Sequence, residues 1–423
     1  MTIVDPAKHS SATTPAAGRT SDAQRWPELN PPRHAPMRSI VAKIVMRRIA
    51  RRAGLRVDLP DGTHLGPSDA PAMRIISPAR FFDRLGRDGK IGFGEAYMAG
   101  DWDAPDLVAA ITPLARDVGS LIPARLQWLR HLYDARQPAA EANDRHGARR
   151  NISRHYDLSN ELFALFLDET MTYSSALFDR PESEMLAEAQ RRKIDRLLDQ
   201  AGVGHGSRVL EIGTGWGELA IRAARRGAAV TTITLSQEQA SLAVERAKAA
   251  GVAGLVDVRL CDYRDIPGEY DAIVSVEMIE AVGERWWQTF FEVLDQRLAP
   301  DGRIGLQAIV MPHQRMLASR RSYTWMHKYI FPGGLIPSLD AIERITRSHT
   351  SLQITEIMAF GQSYAETLRR WRETFDAASD AIDALGFDAM FRRMWRFYLA
   401  YCEAGFRAGY LDVAQLTMTK GRT

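Results

Sequence analysis

Val209-Leu210-Glu211-Ile212-Gly213-Thr214-Gly215-Trp216-Gly217-Glu218 is the stretch whose reading decides the fold. A short, mostly apolar strand pattern runs into three glycines at alternate positions, and a helical pattern from Leu219 to Arg226 follows, with Gly227 able to cap it. Glycines at a strand-to-helix turn let the backbone touch a ligand. The dinucleotide fingerprint needs G-x-G-x-x-G; here the third glycine comes one residue early and Glu218 stands where glycine should be, so NAD is disfavoured. There is also no G-x-x-x-x-G-K-[ST] loop, which removes the ordinary ATPases and GTPases.

Working outward, residues 229–234, 257–260, 271–276, 303–309 and 352–360 carry strand patterns. A long helical region over 364–405 leads to a last strand at 413–419. The alternation predicts an α/β domain over residues 141–423, with a Rossmann-like, mainly parallel, seven-stranded sheet. Residues 312–350 break the alternation and predict an insertion at the carboxyl edge of the sheet, where pockets of such folds lie. Upstream, 134–150 reads as a polar linker and 58–106, dense in glycine and proline, as a small α+β domain. Residues 37–140 are therefore assigned to an amino-terminal domain, and 1–36, rich in Ser, Thr, Ala and Pro, to a disordered tail.

The 423 residues leave room for two or three domains, and 45% hydrophobic with 25% charged residues is a globular composition. The two cysteines, Cys261 and Cys402, have no ligand or framework spacing, so neither a disulfide scaffold nor a metal site is expected. No apolar run approaches a bilayer span and the start lacks a signal-like core, which predicts a cytoplasmic protein. Charge is uneven: residues 29–57 hold eight Lys/Arg and no acid, and the remainder carries 47 basic against 52 acidic residues. Met37, Ile40, Val41, Ile44, Val45 and Ile49 recur at helical spacing, with Arg38, Lys43, Arg47, Arg51 and Arg52 on the other side. This basic amphipathic helix fits either an anionic membrane surface at the inner face or packing on its own domain.

The pattern E-x-G-x-G-x-G resembles the S-adenosylmethionine (SAM) loop of Rossmann-like methyltransferases. That resemblance implies SAM contacts from Glu211, Gly213, Gly215 and Gly217, and from Thr234, Leu235, Ser236 and Gln239 after the second strand. It extends them to Asp262, Tyr263 and Arg264 after the third strand and to Glu277 after the fourth, with Asp262 and Tyr263 at the adenine. The usual acid at the end of the second strand is missing, so Thr234, Ser236 and Gln239 would have to serve in its stead.

From about residue 58 onward the chain resembles the cyclopropane-fatty-acid synthase family, SAM-dependent enzymes acting on double bonds of phospholipid acyl chains. The resemblance rests on Gly92-Phe93-Gly94-Glu95-Ala96-Tyr97-Met98, His155-Tyr156-Asp157-Leu158-Ser159-Asn160, Thr172-Tyr173-Ser174, the glycine loop, Asp262-Tyr263-Arg264-Asp265 and Lys328-Tyr329-Ile330-Phe331-Pro332-Gly333-Gly334. It adds Thr172, Tyr173 and Ser174 to the cofactor residues. It also implies a bicarbonate base held at four positions, which here are Ser175, Glu280, Gln307 and Tyr364. Ser175 stands for a cysteine and Gln307 for a histidine, and losing that histidine weakens the anion site.

An alkene that attacks the SAM methyl leaves a carbocation, which must lose a proton to a base. Direct loss from the new methyl closes a cyclopropane; proton loss after a hydride shift leaves an exocyclic methylene. Glu169, in Leu167-Asp168-Glu169-Thr170, stands where the family usually has proline, and is the expected replacement for bicarbonate as base. With Glu277-Met278-Ile279-Glu280-Ala281-Val282-Gly283, the pattern is similar to the actinobacterial branch that makes 10-methylene stearoyl chains on the route to tuberculostearic acid. That branch implies a separate flavin-dependent reductase partner; a homo-oligomer is also possible. The alternatives are a true cyclopropane synthase and a non-catalytic lipid binder. A nucleic-acid methyltransferase is disfavoured, because Asn/Asp-Pro-Pro-aromatic is missing after the fourth strand and Asn30-Pro31-Pro32-Arg33 falls in the tail.

Overall fold

The computed structural model describes residues 26–116, 159–320 and 322–421. The amino-terminal unit opens with helix α1 (Pro36–Ala53), ended by Gly54 in the left-handed conformation that glycine adopts without strain. Short strands β1 (Arg56–Asp58), β2 (His64–Leu65) and β3 (Ala72–Ile75) follow, then helix α2 (Pro78–Met98), strand β4 (Trp102–Asp103) and helix α3 (Leu107–Arg116). The strands form a sheet in the order β2-β1-β3-β4. Gly86 lets α1 cross α2 closely, since a Cβ there would lie 2.7 Å from the Arg38 carbonyl oxygen.

Residues 26–35, assigned to the tail, are docked instead. Trp26 donates to Asp388 at 3.0 Å, and buried Arg84 donates to the carbonyls of Glu28, Leu29 and Asn30. A buried guanidinium must have its donors met, and this strap of backbone oxygens, with Asp101, meets them. The expected boundary near 140 and the 134–150 linker lie outside the described residues.

The second unit is built on strands β5 (Arg208–Ile212), β6 (Ala229–Thr234), β7 (Val256–Leu260), β8 (Tyr270–Val276), β9 (Leu298–Val310), β10 (Leu352–Ala359) and β11 (Asp412–Lys420). They form one sheet in the order β10-β11-β9-β8-β5-β6-β7, parallel except for β11, which runs antiparallel to both neighbours. Helices α4 (Leu186–Gln200), α5 (Glu218–Arg225), α6 (Gln237–Ala249) and α7 (Trp287–Arg297) cover it together with α8 (Leu339–His349), α9 (Gly361–Ala377) and α10 (Ala389–Arg407). Trp287, Phe290 and Phe291 on α7 are buried core. The segment between β9 and β10 is the expected insertion, with short helices at His313–Ser319 and Trp325–Tyr329 before α8.

The insertion is tied to the amino-terminal unit. Lys328 and Tyr329 donate to one oxygen of buried Glu95 at 2.6 and 2.9 Å, and Gly94 leaves room for the Trp325 ring. Two motifs more than two hundred residues apart in sequence thus form one joint.

Candidate active site

Gly213, Gly215 and Gly217 all have positive φ (98°, 51° and 92°), a backbone path that side chains rarely take. A Cβ at Gly213 would strike Met278 at 2.6 Å and one at Gly217 would crowd Ala243, whereas Gly215 faces open space. The loop therefore presents bare backbone outward while its flanks are packed. At its foot Glu211 is buried, with one carboxylate oxygen that has no hydrogen-bond partner among the described residues. Burial pushes its carboxyl up to about 8, only partly offset by Thr232. An orphaned buried carboxylate beside bare backbone fits the cationic ammonium of SAM.

The other cofactor candidates are distributed unevenly. Thr234 and Gln239 bond to each other at 2.8 Å, and the Ser236 hydroxyl caps α6 by accepting from the Gln239 amide. Leu235 lies half-buried between them at the sheet edge. The Asp262 carboxylate grips the Arg264 guanidinium with two bonds, and Arg264 stacks on Trp286 at 4.9 Å. Tyr263 packs on Phe290 and its buried hydroxyl is unpaired among the described residues. His155 lies outside the described residues, but Asn160 of the same motif accepts from Trp216 of the glycine loop at 2.7 Å.

Beyond the loop, the ends of β8 and β9 carry an acid cluster. Glu277 follows β8 with φ 53°, a left-handed backbone that a non-glycine residue adopts at a cost of about 1–3 kcal/mol. Its amide donates to the Gln307 carbonyl at 2.8 Å, which holds that turn. One carboxylate oxygen accepts from the Ser175 amide at 3.0 Å and the Gln307 side-chain amide at 2.8 Å; the other accepts from the Tyr364 hydroxyl at 2.7 Å. Burial raises the Glu277 carboxyl, opposed by Lys193 and by these donors. Tyr364 is held far above its usual range by burial and by the Glu277 charge, so it stays a donor.

Glu280 accepts from the Ile309 amide at 2.5 Å through one oxygen; its other oxygen is buried without a partner among the described residues. Burial and the Glu277 charge push it up to about 8. The two carboxyls are coupled, and Glu277 has three donors and Lys193 favouring its charged form where Glu280 has one amide.

Ser175, Gln307 and Tyr364 converge on Glu277, with Glu280 electrostatically coupled to it; the Ser175 hydroxyl turns away to the Ala176 carbonyl, so it is the Ser175 backbone, not its side chain, that faces the cluster. Glu169 does not join them. Its side chain is 68% exposed and pairs with Arg191 at 2.5 Å, which corrects its assignment as a base in a lipid pocket. An exposed carboxylate already paired with a guanidinium has no dry substrate beside it. Glu277, assigned to the cofactor, sits in the acid cluster instead. So does Ser174, whose hydroxyl accepts from Lys193 at 2.6 Å, while Thr172 is tied to Thr170.

Lys193 was missed. Burial lowers its ammonium to about 8, with Glu277 and Asp168 opposing. In sequence it hides inside Arg191-Arg192-Lys193, which reads as a solvated charge run. Ala189, Lys193 and Leu197 nevertheless share one face of α4, and that spacing was the available signal. Also missed was an aromatic wall from α9 and α10. Tyr173 packs tilted against Trp371 at 5.2 Å and shares a hydrogen bond with Tyr398, beside Phe163, Phe166 and Trp395. Electron-rich rings beside an acid cluster suit a transient cation.

The sequence profile of mycolic acid cyclopropane synthetase matches residues 143–416. The chain belongs to that family. It is 52% identical over 421 residues to the tuberculostearic acid methyltransferase UfaA1 of Mycobacterium tuberculosis, covering 97% of this chain and 98% of that one. It is 31% identical to the cyclopropane-fatty-acyl-phospholipid synthase of Escherichia coli, over 89% of this chain and 93% of the other. Among solved structures, mycolic acid cyclopropane synthase CmaA1 complexed with SAH and CTAB aligns with a TM-score of 0.60 at 30% identity, over 67% of this chain and 99% of that one. The family fold is that of class I SAM-dependent methyltransferases, and SAM is the cofactor. Among the described residues no group of His, Cys, Asp and Glu could hold a metal ion, and no helix is long and apolar enough to cross a membrane.

Proposed function

We propose that this enzyme methylates the double bond of oleoyl chains in phospholipids and releases 10-methylene stearoyl chains. The observation that carries the methyl-transfer reading is the half-buried Glu277–Glu280 pair near the glycine loop and the aromatic wall, a protein carboxylate suited to take the proton that an alkyl cation must lose. The 52% identity to a tuberculostearic acid methyltransferase over nearly the whole chain supports the methylene product over cyclopropane synthesis.

SAM supplies an electrophilic methyl: the alkene π pair forms the new C–C bond as the C–S bond breaks, and the sulfur keeps that pair. The cation then lies on the adjacent chain carbon. A 1,2-hydride shift moves it to the methyl-bearing carbon, and loss of a methyl proton leaves C=CH2. The chain's residues supply the base, the dry pocket and the rings that steady the positive charge. Saturation to a methyl branch needs a hydride donor, the task of a separate flavin-dependent reductase.

Access to phospholipid is assigned to α1. It packs through Ala42, Met46 and Ala50, while Met37, Ile40, Val41, Ile44 and Val45 are 39–74% exposed among exposed Arg38, Lys43, Arg47, Arg48, Arg51 and Arg52. Apolar side chains in water ringed by cations suit an anionic lipid surface, which supports peripheral association at the inner face of the membrane.

The test is incubation with SAM and dioleoyl phosphatidylglycerol vesicles, followed by proton NMR of the extracted fatty acids. Vinylidene signals are expected. Upfield cyclopropane signals would overturn the methylene reading; mass cannot decide, because both products gain one CH2.

A further inference from the structure

The four positions that the family resemblance assigns to a bicarbonate base do not surround an empty seat. Three of them, the Ser175 amide, the Gln307 side chain and the Tyr364 hydroxyl, donate to the Glu277 carboxylate. We propose that Glu277 is itself the base that takes the proton from the methylated acyl chain, and that it makes the reaction independent of bicarbonate. This rests on the methyl-transfer reading above but not on which product is formed.

Three features of the site support it. First, the donor set is matched to a carboxylate. Gln307 could present either end of its amide, but its oxygen accepts from Gln415 at 3.1 Å, and the Gln415 oxygen in turn accepts from Arg196 at 2.6 Å. That chain fixes the Gln307 nitrogen toward Glu277, so a neutral amide does the donating that a histidine would do. Second, the backbone bends to bring the side chain in. Glu277 is one of three non-glycine residues with positive φ among the described residues, and strain of that kind persists only where the surroundings hold it. Third, charge is provided for. Lys193 is fully buried and acts on Glu277 electrostatically, while Glu280, pushed up to about 8, carries the cluster's proton near neutral pH. Burial raises the Glu277 carboxyl, while Lys193 and the three donors favour its charged form, and a carboxylate held in a dry site is a stronger base than one in water.

The step balances. The C–H pair of the methyl becomes the new π bond, the proton passes to the Glu277 oxygen that receives only Tyr364, and the positive charge delivered by the sulfonium is cancelled. Ser175 contributes through its backbone, so the side chain at that position is immaterial to the seat.

The experiment compares wild type, Glu277→Gln and Glu277→Gly in buffer stripped of carbon dioxide, with and without added bicarbonate, on SAM and dioleoyl phosphatidylglycerol vesicles. SAM affinity is measured by calorimetry and bicarbonate binding by 13C NMR of labelled bicarbonate. Wild-type turnover is expected to be the same with and without the anion. Glu277→Gln should lose about 10²–10⁴-fold in turnover, the usual worth of a general base, with SAM affinity within about twofold of wild type. Glu277→Gly, whose backbone suits the left-handed turn, should bind labelled bicarbonate and recover activity when it is added. Wild-type turnover that requires bicarbonate, or a Glu277→Gln enzyme as active as wild type, overturns the proposal while leaving the methylene reading intact. Cyclopropane made without bicarbonate but lost in Glu277→Gln overturns the methylene reading and sustains the proposal. If the vesicles are not a substrate, the substrate reading falls and the NMR arm decides: anion binding confined to Glu277→Gly sustains the proposal, and equal binding by wild type overturns it.

Discussion

Cofactor binding should release a proton, and the amount follows from Glu211. With its carboxyl at about 8 when no cation is beside it, this group is about 97% protonated at pH 6.5. The α-amino group of free SAM, taken at about 7.8 as for an ordinary α-amine, is about 95% protonated at the same pH. In the complex an ammonium beside the orphaned oxygen needs the carboxylate, so the pair holds one proton. Binding at pH 6.5 should therefore release about 0.9 proton, and the association constant should rise about eightfold between pH 6 and 7 before levelling off near 8. The sign follows because a group whose pKa falls on binding makes binding tighter as pH rises. Titration calorimetry in phosphate and in imidazole buffer, which differ in ionisation enthalpy, reads the proton count directly. Glu211→Gln should abolish most of the release and flatten the pH dependence, whereas Glu280 and Lys193, also near 8, are untouched by that change. Equal release by wild type and Glu211→Gln would refute the assignment of Glu211 to the cofactor's ammonium.

Three further outcomes are expected. Glu169→Gln should leave product yield within about twofold of wild type, since an exposed salt bridge is worth about 0–1 kcal/mol and touches no reacting atom; a hundredfold loss in the vesicle assay would restore it as a base. Tyr364→Phe removes a donor to a charged carboxylate worth about 1.5–3 kcal/mol, so Glu277 should ionise only at higher pH and the acid limb of the turnover profile should move up by at least about one pH unit. Ile40→Glu with Ile44→Glu should abolish co-sedimentation with anionic vesicles at low salt while leaving the melting temperature unchanged, because both side chains already stand in water; binding equal to wild type would remove α1 from the membrane reading.

Much of the architecture is legible along the chain. The strand at 229–234 matches its predicted bounds and those at 256–260, 270–276, 352–359 and 412–420 match within one residue, because a sheet covered on both faces demands apolar β runs punctuated by turns, whereas β9 begins five residues early. The glycines and the late insertion were equally plain. Residues 26–35 were misassigned because no apolar periodicity marks them; they are held by Arg84, whose need for acceptors is a fact of burial rather than of local pattern. Helix α1 was recognised, but not which residues would pack. Its contact face is the narrow line of Ala42, Met46 and Ala50, which leaves the larger apolar residues outside.

The residue types needed for the chemistry, a glycine loop after a strand and acids at the following strand ends, were fixed by composition and spacing alone. Which carboxylate does what was not. Glu169, Glu277 and Glu280 are the same residue in one dimension. Folding puts the first in water against Arg191, gives the second three donors from residues 175, 307 and 364, and leaves the third half-paired beside a like charge. A carboxyl group's proton affinity depends on desolvation and on the donors and charges within a few ångströms. Those neighbours come from segments up to about two hundred residues apart, so only the tertiary structure could assign the roles.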